Sequence, residues 1–410
     1  MNEETLAVDP TLNSVPHSGR KSAYTAIAVV IAFFVTIFAL AGFISIFESE
    51  DDSCWELYID DLPVKEWAAD SVALGPHAES YPALSRSVLW LWQQQGIDGR
   101  WHSQTYGPLQ DGEALTPLVI RSLQKISATI VYVESKRRVA TIERSSWGDA
   151  EHYPTYADAL TLYSLADQPD SQVHYAKKNV IERLLLLQYT ERNGFASDHP
   201  AYGGWGYGGA EPVGESPGHM DLGHTRHVLQ ALRAAGHDDP QTYARAEKFL
   251  RLLQKQGTPG FDGGFYFSPI VLAANKGGEE TIDGKSYFRS YATATCDGIL
   301  ALLACGVKPD DERITSAVDW LKKHPRLDYP EGVLEGTDTN WGASIRYYHF
   351  AVRAECYRAL DWPGDWRGEL RTMLAKLQQP DGSFVNREGF LMKEDDPILC
   401  TALAVIALSQ

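Results

Sequence analysis

Two kinds of helical segment alternate along most of this chain. From about residue 83 onward, apolar side chains recur at the three- and four-residue steps of a helix with a buried face. One set, 83–95, 133–145, 173–189, 241–256, 311–323 and 366–379, keeps charges on an open side, as with Glu247, Lys248, Arg251 and Lys255. The second set, 112–125, 155–166, 221–235, 290–304, 344–360 and 396–409, is more apolar and rich in small residues. A helix apolar on every side belongs inside a fold, and one with a single apolar stripe belongs on its wall. Six of each in strict alternation predict an all-α ring of six helix pairs, with the apolar set inside. No segment reads as a run of alternating strands. Two connections, 190–220 and 257–289, are too long for simple turns and are rich in Gly, Pro and aromatic residues, the profile of functional loops.

The junctions carry a repeat of their own. Four times a segment of the outer set ends in glutamine and turns through glycine to an aromatic residue. The copies read Gln95 to Gly99-Arg100-Trp101, Gln188 to Asn193-Gly194-Phe195, Gln254 to Gly263-Gly264-Phe265, and Gln379-Pro380-Asp381-Gly382-Ser383-Phe384. Recurrence of one supersecondary unit decides the architecture before any motif is read. Glycine closes a helix in the left-handed conformation, and a glutamine amide can occupy backbone groups left open at the helix end. Each copy is therefore expected to staple neighbouring helices.

Composition adds a location. Residues 22–47 carry no charge, enough apolar length to cross a bilayer. Arg20 and Lys21 precede the stretch, and Glu48, Glu50, Asp51 and Asp52 follow it. The positive flank stays in the cytoplasm. The expected layout is a cytoplasmic tail at 1–21, a single-pass anchor at 22–47, an acidic linker at 48–80 and a periplasmic or extracellular helical domain at 81–410. Cleavage after Ala41 as a signal peptide is the rival; the long tail and an apolar run extending to Phe47 favour retention. A net charge of −17 argues against nucleic acid, and the short Lys136-Arg137-Arg138 run fits a solvated helix face. Five cysteines without close pairs, among them Cys305, Cys356 and Cys400 in apolar patterns, do not indicate a disulfide framework.

Several motifs resemble the terpenoid cyclase and protein prenyltransferase superfamily, nearest the bacterial squalene-cyclase-like repeat proteins. They are Gly203-Gly204-Trp205-Gly206-Tyr207-Gly208, Asp221-Leu222-Gly223-His224-Thr225, Asp262-Gly263-Gly264-Phe265, Arg289-Ser290-Tyr291-Ala292-Thr293-Ala294-Thr295, and Asp396-Pro397. Covering roughly 83–410, the resemblance implies an (α/α)6 toroid whose inner helices surround a central cavity. Squalene-type cyclases protonate an alkene with the middle acid of an Asp-x-Asp-Asp motif, and this chain has only plain pairs such as Asp238-Asp239 and Asp395-Asp396. The prenyltransferase zinc positions fall near Phe288, Ser290 and Leu399, none of them a usual ligand, so no cofactor is expected.

The candidate chemistry lies at the starts of the inner helices. Asp297, within an apolar helix, is a candidate proton donor if burial raises its pKa, and Asp221 is a second acid. Asp221 is also a natural N-cap. His224 and His227, three apart on one face, are weak metal candidates with it. Glu394, Asp395 and Asp396 precede the last helix, where its dipole favours acids. Trp205, Tyr207, Phe265, Tyr291, Trp341, Tyr348 and His349 are expected to converge on one mouth. Such a lining suits a hydrophobic isoprenoid or lipid-like ligand, bound with or without chemical transformation. The alternative is a non-catalytic envelope scaffold whose long loops bind another protein; ordinary aromatic packing between helices fits that reading.

Overall fold

The computed structural model describes residues 82–124, 126, 152–168, 170–208, 219–336 and 339–410. The tail, the 22–47 stretch, the acidic linker, the helix expected at 133–145 and loop residues 209–218 lie outside them. Among the described residues no helix is long and apolar enough to cross a membrane.

Twelve α-helices are described: α1 (Pro82–Gln93), α2 (Leu115–Gln124), α3 (Pro154–Ala166), α4 (Asp170–Leu186), α5 (Leu222–Ala234), α6 (Pro240–Leu253), α7 (Ala292–Cys305), α8 (Glu312–Lys323), α9 (Trp341–Ser344), α10 (Arg346–Ala359), α11 (Trp366–Leu377) and α12 (Pro397–Leu408). Apart from the short α9, each lies within three residues, at either end, of a helix expected from periodicity. Their starts are chemically marked. Asp221, Asp239, Asp311, Asp365 and Asp396 cap α5, α6, α8, α11 and α12 by accepting backbone N–H bonds, and proline opens α3, α6 and α12. Burial divides them as the patterns require. In α6 a stripe through Thr242, Tyr243, Ala246, Phe249, Leu250 and Leu253 is buried, whereas in α7 only Leu303 escapes burial.

The inner helices form a closed circuit: α2 packs on α3, α3 on α5, α5 on α7, α7 on α10, α10 on α12, and α12 returns to α2. Outer helices pack outside them, α4 on α3, α6 and α8 on α7, and α11 and α1 on α12. Among the described residues an outer helix (α4, α6, α8 or α11) separates each inner helix from α3 to α12 from the next, so these inner helices run the same way. Hydrogen bonds stitch their starts together around one end of the ring. Leu222 N–H donates to Phe267 O (3.0 Å), Ala292 N–H to Glu331 O (2.8 Å), Tyr347 N–H to Glu394 Oε2 (2.9 Å) and Ser103 Oγ to Asp396 Oδ2 (2.5 Å).

The glutamine repeat is what joins one outer helix to the next. Gln188 Nε2 donates to Gly203 O (3.1 Å) and to Thr242 O of α6 (3.0 Å). Gln254 Nε2 donates to Gly263 O (2.9 Å) and to Arg313 O of α8 (2.7 Å). Gln378 Nε2 donates to Gly382 O (3.0 Å) and to Ala83 O of α1 (2.7 Å), closing the outer wall end to end. Two registers differ from the sequence reading: Gln188 pairs with Gly203 and Trp205 rather than Gly194 and Phe195, and Gln378 takes the place of Gln379. The structure shows the shared rule to be a glycine two residues before the aromatic. Gly99, Gly203, Gly263 and Gly382 all have φ between 81° and 95°. The following aromatic N–H then donates to a threonine in the first turn of an inner helix: Trp101 to Thr116, Trp205 to Thr225, Phe265 to Thr295 and Phe384 to Thr401, at 2.9–3.1 Å.

Two short antiparallel ribbons were not expected. β1 (Trp205–Gly206) pairs with β2 (Met220–Asp221), and β3 (Glu279–Ile282) with β4 (Lys285–Phe288) around Asp283-Gly284. Strands of two to four residues are too short to show a period of two, so only the Asp-Gly turn signals the second ribbon.

Gly203 and Gly194 separate two effects. Both have positive φ, 88° and 84°, but a Cβ on Gly203 would collide with the Arg245 carbonyl of α6, while around Gly194 nothing lies within 4 Å. Gly194→Ala should cost about 1–2 kcal/mol from φ alone, and Gly203→Ala clearly more, about 4 kcal/mol, because the staple must open. Urea unfolding of both variants measures this; equal costs would show that the close approach does not hold the wall.

Candidate functional site

Asp221 organises the end of the ring where the inner helices begin. The β1–β2 ribbon delivers Tyr207, His219 and Asp221 side by side, with Tyr207 N–H donating to His219 O (2.8 Å). Asp221 Oδ1 then caps α5 through His224 N–H (2.9 Å). Its Oδ2 lies 2.7 Å from His224 Nδ1 and 3.4 Å from His219 Nδ1. Burial works to raise the Asp221 carboxyl, yet the two histidines and the backbone N–H hold it below the ordinary carboxylate range. The hydrogen bond to Asp221 in turn raises His219. Asp221 is thus a fixed anion at neutral pH, and it favours a proton on His219.

Aromatic rings wall this group. Tyr207 stacks edge-on against Tyr153 at 4.8 Å, and Tyr156 against His227 at 4.8 Å. Tyr348 lies 6.4 Å from His227. Lys276 holds its ammonium 4.4 Å from the Phe267 ring centre and 5.0 Å from that of Trp341. Gly223, in the first turn of α5, ties these walls together: a Cβ there would stand 3.5 Å from both the Phe267 ring and the Tyr348 hydroxyl.

Beneath the mouth, charges cross the lumen. Arg121 of α2 donates to Glu355 Oε1 of α10 (2.6 Å), and Arg226 of α5 donates to Glu355 Oε2 (3.1 Å). Neither α2 nor α5 neighbours α10 in the circuit, so both bonds span the interior of the ring. Arg226 Nε also donates to Asp297 Oδ1 of α7 (2.9 Å), and the Tyr348 hydroxyl lies 3.1 Å from both Asp297 oxygens. All five side chains are deeply buried except Tyr348, which is partly covered. Burial pushes the Asp297 carboxyl up, against the opposing pull of Arg226 and Tyr348. Two arginines face two carboxylates, with Arg121 Nε left without a hydrogen-bond partner among the described residues.

The sequence candidates divide accordingly. Asp221, Asp297, Tyr207, Trp341, Tyr348, His224 and His227 come together at the mouth, with Tyr291, buried at the start of α7, close enough for Asp297 and Asp221 to raise its hydroxyl further after burial has done so. Trp205 and Phe265 sit in the wall. The Trp205 indole donates to Leu184 O of α4 (2.7 Å), and the Phe265 ring lies against Gly298 of α7. His349 faces the α7–α10 seam, 3.1 Å from Thr293 Oγ1, and burial keeps it neutral. His224 Nδ1 is taken by Asp221, and His227 Nδ1 lies 2.8 Å from Gly223 O. Among the described residues no group of three His, Cys, Asp or Glu is placed to hold a metal ion. Sequence reasoning missed Arg121, Arg226, Glu355 and Lys276. A charged residue inside a helix otherwise buried all round was the available signal for the first three.

The chain matches no described protein family and no curated protein. Among solved structures it is similar to the GH76A α-1,6-mannanase of Salegentibacter sp. HEL1_6, at 9% identity over 80% of this chain and 97% of that one, with a TM-score of 0.50. Weaker likenesses, at a TM-score of 0.46, are to a variant of the type II terpene cyclase MstE from Scytonema (14% identity, 80% of this chain and 95% of that one) and to an unsaturated glucuronyl hydrolase specific for heparin (11% identity, the same shares). The mannanase likeness speaks for the helical toroid and for nothing in the site.

Two measurements test the floor. Glu355→Ala leaves Arg121 and part of Arg226 buried without their carboxylate and should cost about 3–5 kcal/mol. Asp328→Ala, at the exposed pair with Arg326, should cost under about 1 kcal/mol. Similar costs in urea unfolding would deny the crossing its structural part. Glu394 supplies the second test. It accepts from Tyr347 and Tyr348 N–H and from Asn386, yet burial pushes its carboxyl up to about 7. The folded chain then keeps a proton that the unfolded chain releases above its usual 4.5. Stability should therefore fall as pH rises from about 4.5 to 7, by about 3 kcal/mol in all. Glu394→Gln should flatten that slope; an unchanged slope in the variant would assign it to other groups.

Proposed function

We propose that this protein binds a hydrophobic, isoprenoid- or lipid-like molecule at the mouth of its toroid and transforms it there. The observation that supports this reading is the run of ring contacts that joins Tyr153, Tyr207, Tyr156 and Tyr348 through His224 and His227, with Phe267 and Trp341 against Lys276, next to the buried paired charges. Aromatic faces give such a ligand its contact area. The crossing of Arg121, Arg226 and Glu355 sets the depth, so the ligand lies at the inner-helix starts rather than running through the ring. Within this reading Asp297, whose carboxyl burial raises, supplies the acid. Tyr348, within hydrogen-bond distance of both its oxygens, is the group through which that proton reaches the mouth. Asp221 fixes His219 and His224 as a second proton-carrying pair.

The same proposal places the protein at a membrane. The uncharged 22–47 stretch, with basic residues before it and acidic ones after it, anchors the chain and leaves the toroid on the outer side of the membrane, where apolar ligands are held in the bilayer.

Lipids extracted from the full-length protein, purified gently from its native membrane, test the reading by mass spectrometry. One isoprenoid or related lipid species should be enriched to near one per chain. Trp341→Ala should reduce that enrichment by about tenfold, whereas Asp297→Asn should retain the ligand and abolish its conversion. Bulk phospholipid alone on the folded wild-type protein would overturn the proposal.

A further inference from the structure

Lys276 is more sparsely partnered than the other buried cations of the ring; even Arg353, which also lacks a carboxylate, donates to His324 O and to the Tyr357 hydroxyl. Arg121 and Arg226 are bound to carboxylates, and buried Lys255 lies 3.4 Å from Asp262 and donates to Phe288 O (3.0 Å). Lys276 is equally buried, at 5% exposure. Among the described residues its Nζ has only one hydrogen bond, to Ala274 O (3.2 Å), and the two ring faces of Phe267 and Trp341. The backbone that carries it is braced. Asn275 Oδ1 accepts from Phe267 and Ser268 N–H, Asn275 Nδ2 donates to Ser268 O, and Leu334 N–H donates to Lys276 O.

The surroundings favour one use of this amine over another. An anion would be drawn by surplus positive charge, but Arg121 and Arg226 are already bound to Glu355 and Asp297, and Asp221 and Asp297 lie near enough to act on Lys276. A lysine desolvated between apolar faces instead offers a neutral, nucleophilic nitrogen. Burial lowers the ammonium to about 8, although Asp221 and Asp297 favour its charged form. At pH 8 about half of it is then free amine, against well under about 1% for an ordinary lysine.

We infer that Lys276 is a carbonyl-capturing amine, forming a reversible imine with an aldehyde or ketone group carried by an apolar ligand at the mouth. This rests on the ligand-binding reading of the mouth and narrows the ligand to a carbonyl compound. The amine nitrogen adds to the carbonyl carbon and a C–N bond forms. The carbonyl oxygen takes up protons and leaves as water, while the nitrogen gives up its own, so no electrons are gained or lost. His219 and His224, held by Asp221, are the groups at the mouth suited to carry those protons.

Citronellal and citronellol separate this inference from the one beneath it. The full-length protein is incubated with citronellal and cyanoborohydride, and every lysine is followed by peptide mass mapping, while citronellol binding is measured by calorimetry. Citronellol should bind, and Lys276 should be alkylated about tenfold faster than exposed Lys322, at a rate rising through pH 8; Lys276→Arg should remove that labelling, whereas Lys322→Arg should change neither the Lys276 rate nor citronellol affinity. Citronellol binding with Lys276 labelled no faster than Lys322 overturns the capture and leaves the mouth as a binding site. Neither binding nor preferential labelling overturns both.

Discussion

A ring of helices has to close, and most of what is specific in this chain serves that constraint. The wall meets itself where Gln378, after the eleventh helix, bonds to Ala83 in the first, and the core meets itself where α12 packs on α2. A linear array of helix pairs can absorb a small error in each step. A closed one cannot, because the errors add up at the seam. That explains why the junctions at Gln188, Gln254 and Gln378 each fix three things at once. The glycine sets the approach to the next outer helix, the glutamine holds its first turn, and the aromatic N–H engages a threonine of the inner helix. Removing side-chain freedom at every junction is costly in entropy, and closure is what that cost secures.

Closure also dictates where chemistry can be. Parallel inner helices bring their starts, with the positive ends of their dipoles, to one end of the ring. Asp221, Glu394 and Asp396 answer that field, each accepting backbone N–H bonds at a helix start. The same geometry explains the long connections. The turns at the other end, such as 235–239 and 306–311, need only reverse the chain, whereas the longer connections between α4 and α5 and between α6 and α7 contribute side chains to the mouth from their described residues. Tyr207, His219, Phe267 and Lys276 all come from these longer connections. Rigid staples and variable mouth loops divide the labour between architecture and recognition.

The architecture was largely legible because it rests on local patterns. All-round burial of α7 and α12 and the stripe on α6 follow from apolar period alone, and capping aspartates mark the starts. The site was legible only as a neighbourhood. Asp221, His224 and Tyr348 were picked out as polar or aromatic groups at inner-helix starts, but Glu355, six residues after His349 in an apolar helix, gave no sign of its two partners. Those partners, Arg121 and Arg226, lie on helices not adjacent to α10, and a cross-lumen pairing has no periodic signature. Trp205 and Phe265 show the converse. Their glycine context is conspicuous in sequence because it is repeated, and repetition belongs to the wall; what is unique to one junction, such as Lys276, belongs to the mouth.

The paired-charge floor has a further consequence for any chemistry at the mouth. Asp297 is bound by Arg226 and Tyr348, and moving a proton onto or off it changes the balance of a group that includes Glu355 and Arg121. Asp297 and Glu355 share Arg226, and the Glu355 charge adds to the pressure that raises the Asp297 carboxyl. The floor therefore combines a fixed electrostatic boundary with the one acid, Asp297, that the proposed function calls on, and other protons are moved by the groups above it. Those groups are His219 and His224, both paired with Asp221, and Lys276, held between two ring faces. In a closed ring they are also the ones that can change partner without disturbing the seam, which makes the mouth the place where this fold can acquire a reaction while the circuit beneath stays constant.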